Sequence, residues 1–218
     1  MSSVSDAGAA PATGLFGTFC LSSYLLSLSY GTTFLLARML SAHGGSESDA
    51  GSVISVAMLS TFIAVIFSGH LTDLMGAPRA IAAGALFLAG ACLGFALAPG
   101  VGTSLLLFGL LLGFGWGVFY TLGPIIVAMI IAPARRVKYF ALLSGSMMTG
   151  IGTGPLVGRL AEALGYPMQT AFIVAALASL LGGGLFLLMD RRIREQQANL
   201  GPVVVCKITP RAARSVLG

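Results

Sequence analysis

The chain has 218 residues, of which 56% are hydrophobic and only 9% charged. A soluble domain is about a quarter charged, so a mean hydropathy of +0.95 excludes an ordinary water-soluble enzyme or binding module. The formal net charge of +5 needs no nucleic acid to explain it, because the basic residues sort along the chain in a way that reports membrane orientation.

Residues 1–14 contain no Lys or Arg, so they lack the charged start of a cleaved signal peptide; they read as a cytoplasmic N-terminal segment. Apolar runs follow at Leu15–Leu36, Val53–Leu71, Ala80–Ala98, Ser104–Ile131, Tyr139–Leu164 and Thr170–Met189. Each is near the ~20 residues that cross a ~30 Å hydrocarbon layer as a helix. Lipid offers the backbone no hydrogen-bond partners, which favours helices. A barrel strand would alternate apolar and polar residues, and these runs do not. The predicted fold is an all-α membrane protein, a six-helix transmembrane domain over 15–190, followed by a cytoplasmic tail over 191–218. Arg79 follows the second run, Arg135, Arg136 and Lys138 the fourth, and Arg191, Arg192 and Arg194 the sixth, whereas only Arg38 and Arg159 fall near the other side. The positive-inside rule then places both termini in the cytoplasm, and a plasma (bacterial inner) membrane is the expected location.

Catalytic chemistry finds little support. Cys20, Cys92 and Cys206 are scattered singly, which suits small apolar core residues and not paired-thiol redox chemistry. His43 and His70 are the only histidines, and neither has metal-ligand spacing. No metal, cofactor or catalytic residue is expected.

The glycines carry more information. "TGIGTGPLVGR", Thr149 to Arg159, places four glycines and a proline inside the fifth apolar run. Between helices in lipid, small residues allow close backbone approach, and that approach supplies the packing. Gly150, Gly154 and Gly158 form one stripe in the fifth helix, Gly109, Gly113 and Gly117 another in the fourth, and Gly90 with Gly94 a shorter one in the third. Pro155 predicts a bend in the fifth helix and Gly123-Pro124 a break in the fourth.

At these positions the chain resembles the major facilitator superfamily of transporters, over residues 12–195. Gly150, Gly154, Pro155 and Gly158 match the fifth-helix GxxxGPxxG pattern of that family's drug and metabolite exporters, where it serves as a hinge or packed interface. In the cytoplasmic loop between the second and third helices, "GHLTDLMGAPR", Gly69, Asp73, Gly76 and Arg79 are similar to the family's loop signature. Asp73 ends the second helix, where the macrodipole disfavours an anion by a few tenths of a kcal/mol. It therefore needs a partner, either Arg79 across the Gly76 turn or the N-terminus of another helix; the resemblance implies the latter, on the opposite half.

The resemblance further implies a substrate cavity at the midplane, faced by the first and fourth helices. Ser23, Ser27 and Tyr30 share a face of the first helix by i, i+4, i+7 spacing, with Tyr24 alongside. Trp116 and Tyr120 lie on a stripe of the fourth. Aromatic rings with polar handles suit an amphipathic small molecule. No ionisable residue occupies the central turns of any run, so a proton-coupling group would lie elsewhere. Family members usually have about twelve helices in two six-helix halves. The tail "EQQANLGPVVVCKITPRAARSVLG" resembles the loop joining them. The sequence thus reads as the N-terminal half of an exporter-type secondary transporter, working by alternating access on a small-molecule substrate in the lipid bilayer. Its partner would be a second six-helix half, either a C-terminal half or an identical subunit. A half-size homodimeric facilitator and a non-transporting membrane subunit are the alternatives.

Overall fold

The computed structural model describes residues 13–200 apart from 43, 99 and 101. The N-terminal segment, the tail beyond residue 200 with Cys206, and His43 lie outside the described residues. Helix α1 covers Thr13–Gly31, a 3₁₀ turn Thr32–Leu35 and α2 Leu36–Ala42; together they form the first span. Then follow α3 (Glu47–Met75), α4 (Ala77–Leu97), α5 (Ser104–Ile130), α6 (Arg136–Ala163) and α7 (Gln169–Leu200). Among the described residues, six helical segments are long and apolar enough to cross a membrane, and none forms a strand. The fold class is as the sequence predicts.

Local chemistry sets the helix ends. Ser46 and Asp49 form a capping box: the Asp49 N–H donates to Ser46 Oγ at 3.2 Å, and the Ser46 N–H donates to Asp49 Oδ2 at 2.8 Å. This box starts α3 ahead of the apolar run. At its other end Gly76 adopts φ +86°, which suits glycine alone. Pro78 in the first turn of α4 then restarts the helix at once. The 3₁₀ turn in the first span lies where Thr32 and Thr33 hydroxyls donate to the carbonyls of Ser29 (2.7 Å) and Tyr30 (2.8 Å). These i→i−3 bonds compete with the α-helical ladder.

Two expectations about helix ends change. Gly123-Pro124 does not interrupt the fourth span, since α5 runs unbroken from Ser104 to Ile130. A proline removes one backbone bond and can be tolerated inside a transmembrane helix. Helix α7 does not stop near Met189 but continues to Leu200.

Helix packing follows a repeated plan. The first span packs mainly on α6 and α7, and α5 mainly on α3 and α4, while α4 and α7 pack on each other. Exchanging the first three spans for the last three maps this pattern onto itself. Phe186 of α7 sits at the centre, 5.4 Å from the Phe19 ring of α1 and 6.2 Å from the Phe119 ring of α5.

Two glycine stripes make the equivalent outer contacts. A methyl group added to Gly109, Gly113 or Gly117 would strike Val53, Ala57, or Thr61 and Ala64 of α3. One added to Gly150, Gly154 or Gly158 would strike Tyr24 and Ser27, Gly31 and Thr32, or Leu35 of the first span. The approach is close enough for cross-helix hydrogen bonds from Ser60 to the Leu110 carbonyl (2.6 Å) and from Thr61 to that of Gly113 (3.0 Å). The stripe expected on α4 is not an interface of this kind. Gly90 faces open space, and Gly94 accommodates the Phe108 ring. Close approach of α4 to α5 comes instead from Gly84 meeting Gly115.

Candidate functional site

The first span and α5 bring three of the aromatic residues together. Tyr30 stacks on Trp116 with centroids 4.3 Å apart and planes 14° apart. Tyr120 follows one turn on, 5.9 Å from Trp116. Trp116 is buried, Tyr30 half-buried and Tyr120 52% exposed, so the stack opens at Tyr120. Such an aromatic face offers a flat apolar surface edged by phenol hydroxyls.

The serines are placed differently. Ser23 is fully buried and donates to the Phe19 carbonyl at 2.8 Å. Ser27 is also fully buried, against Gly150, and its hydroxyl has no partner among the described residues. Both lie within helix packing, away from the open end of the stack. The half-buried Tyr24 hydroxyl accepts a hydrogen bond from Thr153 at 3.1 Å, which ties the first span to α6. In α6, Gly150, Gly154 and Gly158 are buried along the first span, and Pro155 is half-buried inside a continuous helix.

The loop motif builds a second constellation at the opposite end of α4 from its Gly90–Gly94 segment. Gly69 and Asp73 are exposed on the last turns of α3, and Asp73 makes no ion pair among the described residues. Arg79 is not the partner of Asp73: its Nε donates to Asp190 Oδ2 at 2.9 Å. The reason is positional. Asp190 ends the membrane-facing part of α7, directly beside the start of α4, and its carboxylate is largely buried. Arg194, one turn further along α7, donates from Nε to Asp190 Oδ1 at 3.0 Å. Its guanidinium lies where a Gly76 side chain would be, 3.3 Å from that position. Asp190 was not singled out from sequence. Its only signal there is being the one acid at the junction of an apolar run and the Arg191–Arg192 pair.

These features define a multi-pass helical membrane protein with six spans in two similarly packed triplets. The chain belongs to the Major Facilitator Superfamily, whose profile matches residues 15–215. It is therefore an integral membrane protein of a transporter family. No curated protein matches the chain. Its fold is similar to the crystal structure of the peptide transporter POT, a mutant, in complex with sulfate, with a TM-score of 0.68 and 24% identity over 94% of this chain and 42% of that one. The same mutant transporter in complex with alafosfalin gives a TM-score of 0.68 and 24% identity over 94% of this chain and 43% of that one. The chain thus spans less than half the length of those transporters and shares the fold of one half.

Proposed function

We propose that the chain is the N-terminal half of an exporter-type secondary transporter that moves a small molecule by alternating access, with a second six-helix half as its partner. The observation that carries this reading is the uneven burial of the spans. Only 28% of the most apolar stretch of α3 and 22% of that of α6 are buried, against 67% for the first span and 50% for α7. The poorly covered pair, α3 and α6, flanks the two spans that present Tyr30, Trp116 and Tyr120. A second half seated on α3 and α6 would therefore enclose the aromatic stack in a cavity between the halves, where transporters of this architecture bind cargo. Both termini then face the cytoplasm. Gly69, Asp73, Gly76 and Arg79 line the gate-side loop, and the glycines around Pro155 form the interface on which the first span and α6 move.

Counterflow of labelled amphipathic solutes in vesicles tests this. Vesicles holding both halves should exchange a solute that neither half exchanges alone. Tyr120→Ala should cut that exchange roughly tenfold, the loss of about 1.4 kcal/mol of stacking. Equal exchange with and without the second half would reject the two-half reading. Unimpaired exchange by the Tyr120 variant would remove the stack from the cavity.

A further inference from the structure

On the outer side of the bundle a groove of about 310 Å³ runs between α4 and α7. Its floor is made of small residues, Ala82 and Ala83 of α4 and Gly183 and Gly184 of α7, and its walls include Leu86, Leu180 and Leu187. Arg79 is the single charged residue lining it. The groove has a direction: 79, 82, 83 and 86 share one face of α4, and 180, 184, 187 and 191 one face of α7, since residues three and four apart are neighbours on a helix. Arg191 therefore stands one turn beyond Leu187, at the same mouth as Arg79.

This mouth carries excess positive charge. Arg79 and Arg191 stand there, and the two acids beside them are shared, Asp190 between Arg79 and Arg194 and Glu195 with Arg191. Asp190 engages only Nε of Arg79, leaving the terminal guanidinium nitrogens of that exposed side chain without a hydrogen bond among the described residues. Arg191 is tied only to Glu195, through an exposed pair that competes weakly with another anion. A narrow apolar slot with cations at its water-facing end matches one occupant in shape and charge: an acyl chain whose headgroup is an anionic phosphate.

We propose that the α4–α7 groove seats one acyl chain of an anionic phospholipid, with its phosphate held by Arg79 and Arg191. The leaflet, cytoplasmic, follows from the orientation proposed above; the groove itself does not depend on the transport reading. Neither α3 nor α6 lines the groove, so a second half seated on those two helices leaves it open to lipid.

Native mass spectrometry of the full chain in detergent tests the site, with phosphatidylglycerol and phosphatidylcholine of identical acyl chains as probes. The chain should retain phosphatidylglycerol at least threefold better, and glycerol 3-phosphate should not displace it. Gly184→Leu fills the groove where an added side chain meets nothing within 4 Å, so the fold should persist while retention falls about fivefold. Gly152→Leu, an equally open position on α6, which does not line the groove, should change nothing. Arg191→Gln should narrow the preference between the two lipids. Equal retention of both lipids, unchanged retention by Gly184→Leu, displacement by glycerol 3-phosphate, or a lipid-free dimer closed through this face would each overturn the proposal.

Discussion

Gly154→Leu is expected to lower the thermal midpoint of the detergent-solubilised chain by roughly 10 °C and to reduce its folded yield, whereas Gly152→Leu leaves both close to wild type. The two positions lie two residues apart in the same helix, so the change in helix propensity is alike. Their surroundings differ. A side chain at 154 would enter the backbone of Gly31 and Thr32, and at 152 it would meet nothing within 4 Å. Overpacking a filled interface typically costs about 1–3 kcal/mol when side chains can adjust, and here backbone atoms must move. For a chain of this size each kcal/mol shifts the midpoint by roughly 2–4 °C. The effect should be large because this contact lies beside the 3₁₀ turn of the first span, where regular hydrogen bonding is already weakened. Similar midpoints for the two variants would show that the α1–α6 stripe is not a packed contact.

The second large effect concerns Asp73. Its carboxylate is exposed at the end of α3 and unpaired among the described residues, while the nearby Arg79 turns its Nε to Asp190. At a helix C-terminus an anion gains nothing from its own helix. We propose that its partner is a helix N-terminus of the second half, met in only one access state. Asp73→Asn keeps the shape and removes the charge. In vesicles holding both halves it should cut counterflow about tenfold, because a state-specific contact of ~1.4 kcal/mol shifts the access equilibrium by that factor. In the isolated chain it should leave the thermal midpoint unchanged. Normal counterflow by the variant, or unfolding of the isolated chain that carries it, contradicts this assignment.

The sequence made the spans legible because lipid imposes a single strong constraint, a long apolar helix, that no local detail can override. It also showed the stripes of Gly109–Gly117 and Gly150–Gly158, since a four-residue glycine period can lie on one helix face. What it did not show was which stripe meets which helix. Gly90 and Gly94 have the same spacing but face space and a phenylalanine ring, because α4 approaches its neighbours on the face of Gly84 instead. Periodicity names a face and says nothing of what covers it. The aromatic stack was legible for a similar reason, as Tyr30, Trp116 and Tyr120 are large and rare. Ser23 and Ser27 share Tyr30's spacing, yet both are buried, Ser27 by the close approach of α6 at Gly150. Asp190 went unseen because its partners, Arg79 and Arg194, come from an element 111 residues away and from the next turn of its own helix. Only the tertiary placement of α7 against α4 brings the three together. Pro124 misled in the other direction: a residue that ends helices in water stays within one when neighbours and lipid leave the backbone no better alternative.

The central claim is a six-span half whose α3 and α6 faces are covered by a second half, with both ends of the chain in the cytoplasm. Cysteine labelling in oriented vesicles tests it most directly, in a variant lacking Cys20, Cys92 and Cys206. A cysteine at Ser46 should react from outside and one at the exposed Val137 from the cytoplasm. With a lipid-soluble maleimide, cysteines at Phe62 of α3, at Met148 of α6 and at Leu188 of α7, all exposed in the isolated chain, should react alike. Adding the second half should protect Phe62→Cys and Met148→Cys and leave Leu188→Cys reactive. Labelling of position 46 from the cytoplasm, or protection of position 188 in place of 62 and 148, would contradict the account.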